Sequence, residues 1–581
     1  MKFLYINMLQ FQRIIPWIGA LCSGLLLAAS FPPLEWKDAA WISFVPLILG
    51  LRGADYRQAV RLGFISGTVF WLFSIHWLTH VTYIGWMALS LYCAIYFVPF
   101  SIFVSRWIHG LGTKRWVRNL GLMLSAPIVW VGFEYVRSVL FTGFAWNTLG
   151  VSQYTNIPII QWAAWGGVYA VSAVIMLINM AIGLTIFRYL NLDGRWQRQM
   201  HPELMMGFLI LACVFLLGWR SIQNDHRDTE PVRIGLVQPN IPQSDKWTEA
   251  YTDEIYDRLK TLTDILIGIG SLDIIVWPET AVPDYIRSSK TSYDLVYNLV
   301  TNGTPILVGS MDLQWQDDEP LAYYNSSFLF GSDGTILQHY DKQHLVMFGE
   351  YTPLNRWLPF IDAFTPIDGN FTAGTTGTVF KLPPQNLLFS ALICFEDTIA
   401  SAARHMVIAG ARFLINQTND AWFDVSSGSK QHMAHCVFRC VENRVPAVRC
   451  ANTGITCAID RSGRIYDVFE GPNGNTLASG FKITQLAVPM KTMSLTFYTQ
   501  YGDWVGFFAA LASCLLLSFV VRITSQKSKD RPESVSYRFG RRFGAQKLKT
   551  FSLRCSLLGG LGPASITLMN FLSVQVRFTL I

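Results

Sequence analysis

Stretches of this chain that are nearly free of charge recur at roughly 15–31, 38–51, 60–79, 84–106, 119–139, 163–187, 204–219 and 503–522. Most approach the ~20 apolar residues that a helix needs to cross a bilayer. A water-soluble fold has no use for so many runs of that length, so the chain reads as an integral membrane protein built on a bundle of eight spans. Its composition agrees, with 51% hydrophobic and only 15% charged residues. The 38–51 run is the shortest of the set and the least able to cross as a regular helix.

Basic residues orient these spans. Arg52, Arg57 and Arg61 follow the second run, Lys114, Arg115 and Arg118 the fourth, and Arg188, Arg195 and Arg198 the sixth. The intervening loops carry almost none: Lys37 after the first run, and nothing basic in "THVTYIG" or "TGFAWNTLGVSQYTN". Short basic loops stay on the cytoplasmic side. Both ends of the bundle are therefore expected there, and the long segment between spans seven and eight faces outward. Lys2 and Arg13 ahead of a run ending in "LAAS" also fit a cleaved signal peptide, but the loop alternation favours a retained first span. The net charge of +7 resides largely in these loops and gives no argument for nucleic acid.

The expected organisation is a membrane bundle over 1–222, a catalytic domain over 223–500, an eighth span over 501–523 and a tail over 524–581. The 223–500 segment alternates strands with helices. "VRIGLVQPNI" and "LDIIVWPE" read as strands, and Asp253–Ile269 as an amphipathic helix with Ile255, Leu259, Leu262 and Leu266 on one face. "YYNSSFLFGSDGTILQHYDK" reads as a hairpin turning at Asp333-Gly334. Further strands are "PILVGSMD", "LLFSALIC" and "RFLINQT", with helices over Ile399–Ala409 and Gln431–Asn443. This pattern predicts a layered α/β sandwich.

In such folds, polar residues at strand ends are the ones that meet ligands. Glu279 ends "DIIVWPE", Lys342 ends "TILQHYDK" and Cys394 ends "LLFSALIC". A thiol becomes a nucleophile when a base takes its proton, a carboxylate can be that base, and an ammonium can hold the developing oxyanion. Each residue also has a bland reading: Cys394 as a small buried hydrophobe, Glu279 as a turn acid, Lys342 as a solvated strand-end charge.

The surrounding letters decide between the two. "VWPETA", "YDKQHLVMFGEYTPL" and "ICFED" resemble the three signature segments of the nitrilase superfamily, with its Glu-Lys-Cys triad. Together with "FPPL", "FTGFAWNTLGVSQ", "VQPNIPQSDKW", "NQTNDAWF" and "RCVENRVPAVRCANTGIT", residues 15–522 resemble the bacterial apolipoprotein N-acyltransferases. The resemblance implies an outward-facing nitrilase-like αββα sandwich on the bundle. It implies Glu279 as general base, Lys342 as oxyanion stabiliser and Cys394 as the nucleophile that carries a thioacyl group. Glu350 would orient Lys342, and Trp247, Phe395 and Glu396 would line or gate the pocket. Two positions depart from the family pattern: Met347 stands where Pro is usual, and Phe395 where Tyr is frequent.

The implied reaction moves an acyl chain from a phospholipid to the α-amine of a diacylglyceryl-modified N-terminal cysteine on an apolipoprotein. It requires no cofactor and no metal, and takes place at the bacterial inner membrane on its periplasmic side. Two other readings stand beside it, a membrane-tethered nitrilase-type amidase and a non-catalytic lipoprotein-binding scaffold. Phe348, Trp357, Leu358 and Phe360 are loop residues that either dip toward the headgroups or pack the loop.

Other residues invite separate readings. Glu134 and Arg137 lie inside an apolar run, as a structural i,i+3 pair or as a support near substrate. His432, His435, Cys436 and Cys440 share one helix, where a metal site is conceivable but disfavoured. Cys436, Cys440, Cys450 and Cys457 face an oxidising compartment that allows a disulfide, and spacing does not pair them. Past residue 523, basic segments precede an apolar run broken by Gly559, Gly560, Gly562 and Pro563, to which no function is assigned.

Overall fold

The computed structural model describes residues 2–529 apart from 111–114, 191–200, 226–227, 302, 318, 353–369, 384–386 and 491–493. The tail beyond 529 and the loop residues Trp357, Leu358 and Phe360 lie outside the described residues.

Among the described residues five helices are long and apolar enough to cross a membrane: Tyr83–His109, Trp116–Thr142, Ala163–Tyr189, Pro202–Gln223 and Trp504–Ile523. A shorter apolar helix covers Arg13–Ala29, and Tyr56–Ser74 forms a helix whose first turns carry Arg57 and Arg61. The expectation of eight regular spans is thus met only in part. The 38–51 run departs most clearly: it breaks into a 3-10 turn at Lys37–Trp41 and a seven-residue helix at Val45–Leu51. A helix of that length rises only about 10 Å, and Pro46 at its start has no N–H to continue the preceding turn.

The break is nonetheless served. Asn179, on the helix Ala163–Leu190, accepts from Phe44 N at 2.9 Å and donates to the Ala40 carbonyl at 2.8 Å, while Ser23 Oγ donates to the Ser43 carbonyl at 2.6 Å. Irregular backbone at membrane depth survives only where protein satisfies it in this way. Glycines then let this leg pack tightly back along the first helix: a Cβ at Gly19 would meet the Pro46 carbonyl oxygen at 2.6 Å, and one at Gly50 the Pro16 oxygen at 3.1 Å. By Gly50 the chain has returned to the level of Pro16, so a broken leg covers the distance that a regular helix would.

The α/β part contains two sheets. The first comprises β1 (Thr229–Gln238), β2 (Ile274–Val276), β3 (Val282–Tyr285), β4 (Ile306–Gln316), β5 (Glu319–Phe330), β6 (Ile336–Asp341) and β13 (Gly480–Pro489), in the order β13-β1-β2-β4-β5-β6 with β3 beside β4. The second comprises β7 (Phe380–Leu382), β8 (Leu387–Ile393), β9 (Phe413–Thr418), β10 (Ala447–Ala451), β11 (Cys457–Ile459) and β12 (Ile465–Tyr466), in reverse sequence order. Strand alternation divides the core. Ile274 and Val276 of β2 share one apolar cluster with Phe389, Ile393, Leu414 and Val448 of the second sheet, whereas Ile275 and Trp277 pack with Leu259, Leu262 and Leu266 of the helix Thr252–Ile269. The sheets therefore face each other, with helices outside: the αββα sandwich.

The helix Gly428–Asn443 joins the sandwich to the bundle, and nearly all of its side chains are buried, charged ones included. Its Gln431 accepts from the indoles of Trp77 (3.0 Å) and Trp146 (2.8 Å) and from Asn147 Nδ2 (3.0 Å), and donates to the carbonyls of Pro32 (2.9 Å) and Ser74 (2.8 Å). Two of the quoted motifs, "FPPL" and "FTGFAWNTLGVSQ", thus meet on one amide. Glu134 and Arg137 serve the same loop rather than each other. Glu134 Oε1 accepts from Leu149 N at 2.7 Å, and Arg137 donates to the carbonyls of Phe144 and Trp146 at 2.5 and 2.9 Å.

Candidate active site

The strand ends converge as the sequence suggests. Glu279 follows β2, Lys342 follows β6 and Cys394 follows β8. Lys342 is buried, and its Nζ lies 2.7 Å from Glu350 Oε1 and 3.4 Å from Glu279 Oε1. Asn325 Nδ2, from β5, ties the two carboxylates together at 2.8 Å to Glu279 and 3.2 Å to Glu350. Glu350 Oε2 accepts from Val346 N at 2.8 Å, which fixes the acid within its own loop. Burial alone would drive the Lys342 ammonium toward neutrality, but Glu350 and Glu279 outweigh it and raise its proton affinity above the usual lysine range. The cation therefore persists in a dry site.

Cys394 occupies the left-handed region, with φ +51°, at the tip of β8. For a residue with a Cβ this is a strained conformation that neighbours must enforce. Asn416 Nδ2 donates to the Cys394 carbonyl at 3.1 Å and to that of Leu392 at 3.2 Å. Glu396 Oε2 accepts from Ile393 N at 2.8 Å, while its Oε1 accepts from Tyr340 Oη, Gln343 N and His344 N at 2.8, 2.8 and 3.1 Å. Glu396 is fully buried, and its bonds brace the cysteine turn against the chain that follows Lys342. Burial and the nearby Glu279 charge push the Cys394 thiol up, against the pull of Lys342. At rest the sulfur keeps its proton, and Glu279 acts on it more strongly than the second nearby carboxylate, Asp420.

Phe395 points the turn toward the membrane part. Its ring stacks on Trp146 with centroids 6.3 Å apart and planes 5° from parallel. Trp247 is half exposed, 5.8 Å from Lys246 Nζ. Phe348 is exposed and also left-handed, at φ +62°.

Two groups escaped sequence reasoning. Lys246, within "QSDKW", is buried and donates to the Glu279 carbonyl at 3.0 Å. Burial pushes it down to about 8, against Glu279 and Cys394, so this second cation loses its charge at mildly alkaline pH. The segment held the signal, but the adjacent tryptophan drew attention from the lysine. The other is a buried quartet behind Cys394. His432 Nε2 and Nδ1 lie 2.9 Å from Asp397 and from Asp420, and Arg449 bonds the same two carboxylates at 2.8 Å each. Arg449 also donates to Asn416 at 2.8 Å, so the quartet supports the amide that holds Cys394. His432 is thus committed to two carboxylates, and among the described residues Cys436, Cys440, Cys450 and Cys457 are buried free thiols.

Burial and Arg449 depress His432, but Asp397 and Asp420 overcome both and raise it to about 9. A histidine raised above its unfolded value near 6.5 contributes stability in full below that pH and loses it as pH climbs through 9. We expect thermal stability to fall between pH 7 and 10 by on the order of 3 kcal/mol from this group. In His432→Gln that portion of the pH dependence should vanish, with the whole curve lowered at pH 7 by the loss of a buried partner. An unchanged slope in the variant would contradict the assignment.

A buried carboxylate, a buried ammonium and a strained thiol at strand ends of an αββα sandwich define a carbon-nitrogen-hydrolase type of acyl-transferring enzyme, here set on apolar helices. Comparison with known proteins agrees: residues 23–181 match the family described as apolipoprotein N-acyltransferase N-terminal domain, and residues 233–477 the family described as carbon-nitrogen hydrolase. A protein of Geobacter metallireducens named apolipoprotein N-acyltransferase is 36% identical over 84% of this chain and 92% of its own length. One of the same name from Chlorobaculum tepidum is 30% identical over 84% and 93%. Among solved structures, Saccharomyces cerevisiae Nit3, a member of branch 10 of the nitrilase superfamily, aligns with 44% of this chain and 90% of its own at 18% identity and a TM-score of 0.34. The chain belongs to the apolipoprotein N-acyltransferase family.

Proposed function

We propose that this enzyme transfers an acyl chain from a phospholipid, through a thioester on Cys394, to the α-amine of the diacylglyceryl-modified N-terminal cysteine of apolipoproteins. In the first half, Glu279 takes the Cys394 proton as sulfur attacks the ester carbonyl. Lys342 holds the oxyanion, and the departing glyceryl oxygen recovers the proton as lysophospholipid leaves. In the second half the acceptor amine attacks the thioester, Glu279 takes a proton from the nitrogen, and the released thiolate is reprotonated. Glu350 keeps Lys342 charged and in place, and Trp247 and Phe395 border the acyl path. Lys246 is the missed member of this set, holding the Glu279 backbone beside the reacting groups.

In this reading residues 1–222 and 501–523 form eight crossings, counting the broken leg at 38–51 as one. The 223–500 domain stands on the periplasmic side of the inner membrane. The observation that carries the proposal is the seam: Phe395, next to the proposed nucleophile, stacks on Trp146 of the apolar bundle. An acyl chain costs ~0.8 kcal/mol per CH₂ to move into water, so a donor ester is best met at such a seam. A small amide substrate gives the bundle no task, which disfavours the amidase reading.

The test supplies purified protein with phospholipid and a synthetic diacylglyceryl lipopeptide bearing a free α-amine. The peptide should gain one acyl mass, and an N-acetylated peptide should gain none. Release of free fatty acid with no peptide product would support a hydrolase instead.

A further inference from the structure

Asn325 of β5 touches Glu279, Lys342 and Glu350 at once. Its backbone carbonyl accepts from Lys342 N at 2.9 Å, which ties it to the chain that carries the ammonium. Its Nδ2 donates to Oε1 of Glu279 at 2.8 Å and to Oε1 of Glu350 at 3.2 Å. Lys342 Nζ approaches the same two oxygens, at 3.4 and 2.7 Å. One amide nitrogen and one ammonium therefore bridge two carboxylates in a closed ring.

The ring gives the carboxylate oxygens different tasks. Glu350 has both engaged, Oε1 in the ring and Oε2 by Val346 N at 2.8 Å. Glu279 has Oε1 engaged, while its Oε2 accepts from no group among the described residues. Lys246 holds Glu279 by its backbone carbonyl at 3.0 Å, so this residue is fixed at both ends. Glu279 Oε2 is thus the one oxygen of the pair left to take a proton. The unequal Lys342 distances point the same way. A carboxylate free to meet an ammonium closes to a short, charge-assisted contact, as Glu350 does at 2.7 Å. Glu279 stops at 3.4 Å, where the Asn325 N–H occupies its oxygen.

Packing does not account for this amide. Asn325 is buried, and its Oδ1 has no donor among the described residues. Reversing the amide would set that oxygen against both carboxylates, so the observed orientation is the one open to it. A buried acceptor without a donor costs stability, and the fold alone gives no reason to keep one here. We propose that Asn325 is a positioning residue for acyl transfer: it occupies one oxygen of Glu279, leaves the other for the Cys394 proton, and keeps the base from closing on Lys342. This deepens, and rests on, the reading of Glu279 as base and Lys342 as oxyanion holder.

Two rates test it in the full chain in detergent: the gain of acyl mass on Cys394 from phospholipid, and alkylation of the same thiol by iodoacetamide near neutral pH, followed on the Cys394 peptide. Asn325→Ala is expected to slow both by about tenfold or more, with the phospholipid KM changed by less than about threefold. In a Glu279→Gln background the same change should cost less than about twofold in alkylation, because the group it positions is gone. Asn325→Ser keeps one donor and removes the orphaned carbonyl; it should fall between, and it gives the answer if a lowered Tm shows that the alanine variant does not fold. An equal loss in both backgrounds, or a raised KM with kcat unchanged, overturns the proposal. Alkylation needs no lipid, so the two failures are distinguishable. Unaltered protein that alkylates at Cys394 but gains no acyl mass contradicts the acyl-transfer reading, whereas an unchanged alkylation rate in Asn325→Ala contradicts the role of Asn325.

Discussion

Cys394→Ala is expected to abolish acyl transfer while leaving the protein folded. The thiol supplies the only proposed covalent carrier, and no neighbour can replace it. Glu279 is a buried carboxylate held by Asn325, and Lys342 is an ammonium with no lone pair while its carboxylate partners hold it charged. The turn should survive, because the contacts that enforce the left-handed backbone reach Cys394 through its carbonyl and through its neighbours Ile393 and Glu396, not through sulfur. Turnover of a lipopeptide should fall to background, with a Tm close to that of the unaltered protein. A residual rate within tenfold of the original would remove Cys394 from the mechanism.

Lys342→Met carries the second-largest effect, and two consequences of the change must be separated. Loss of an oxyanion donor costs on the order of 3 kcal/mol, or about 10²-fold in kcat. The same substitution leaves Glu279 and Glu350 facing each other through Asn325 with no cation between them, which destabilises the fold. Adding Glu350→Gln should relieve that repulsion. We expect Lys342→Met/Glu350→Gln to recover Tm relative to Lys342→Met and to remain at least about 10²-fold slow in kcat. Recovery of rate together with Tm would make Lys342 a structural cation only.

The sequence made most of the sandwich legible because its strands obey simple alternation. β2 is an example: Ile274 and Val276 go to one core, Ile275 and Trp277 to the other. The strand-end positions of Glu279, Lys342 and Cys394 followed from the same pattern. Periodicity was silent on buried polar residues whose partners are distant in sequence. Asn416, Arg449 and His432 belong to one network behind Cys394, yet they come from three separate segments, none of which points to the others. Glu396 shows the same limit: a carboxylate beside a nucleophile suggests pocket chemistry in the sequence, and its bracing of the turn is visible only from its four backbone and tyrosine donors.

The membrane part shows the converse limit. Hydropathy detects apolar length and not continuity, so 38–51 looks alike in kind to 163–190, which is helical apart from a kink near its start at Gly166 and Gly167. What separates them is Pro46 and the polar side chains of Ser23 and Asn179, which accept a broken backbone. The seam was not legible in the sequence, where "FPPL" and "FTGFAWNTLGVSQ" carried only a family resemblance and no task. Gln431 supplies one by binding Pro32, Trp146 and Asn147 at once.

The most direct measurement is the intact mass of the purified protein after incubation with phospholipid alone, beside Cys394→Ala. The account predicts a gain of one acyl group on the unaltered protein, none on the variant, and clearance of the adduct when a diacylated lipopeptide is added. No gain on either protein, accompanied by hydrolysis of small amides, would contradict it.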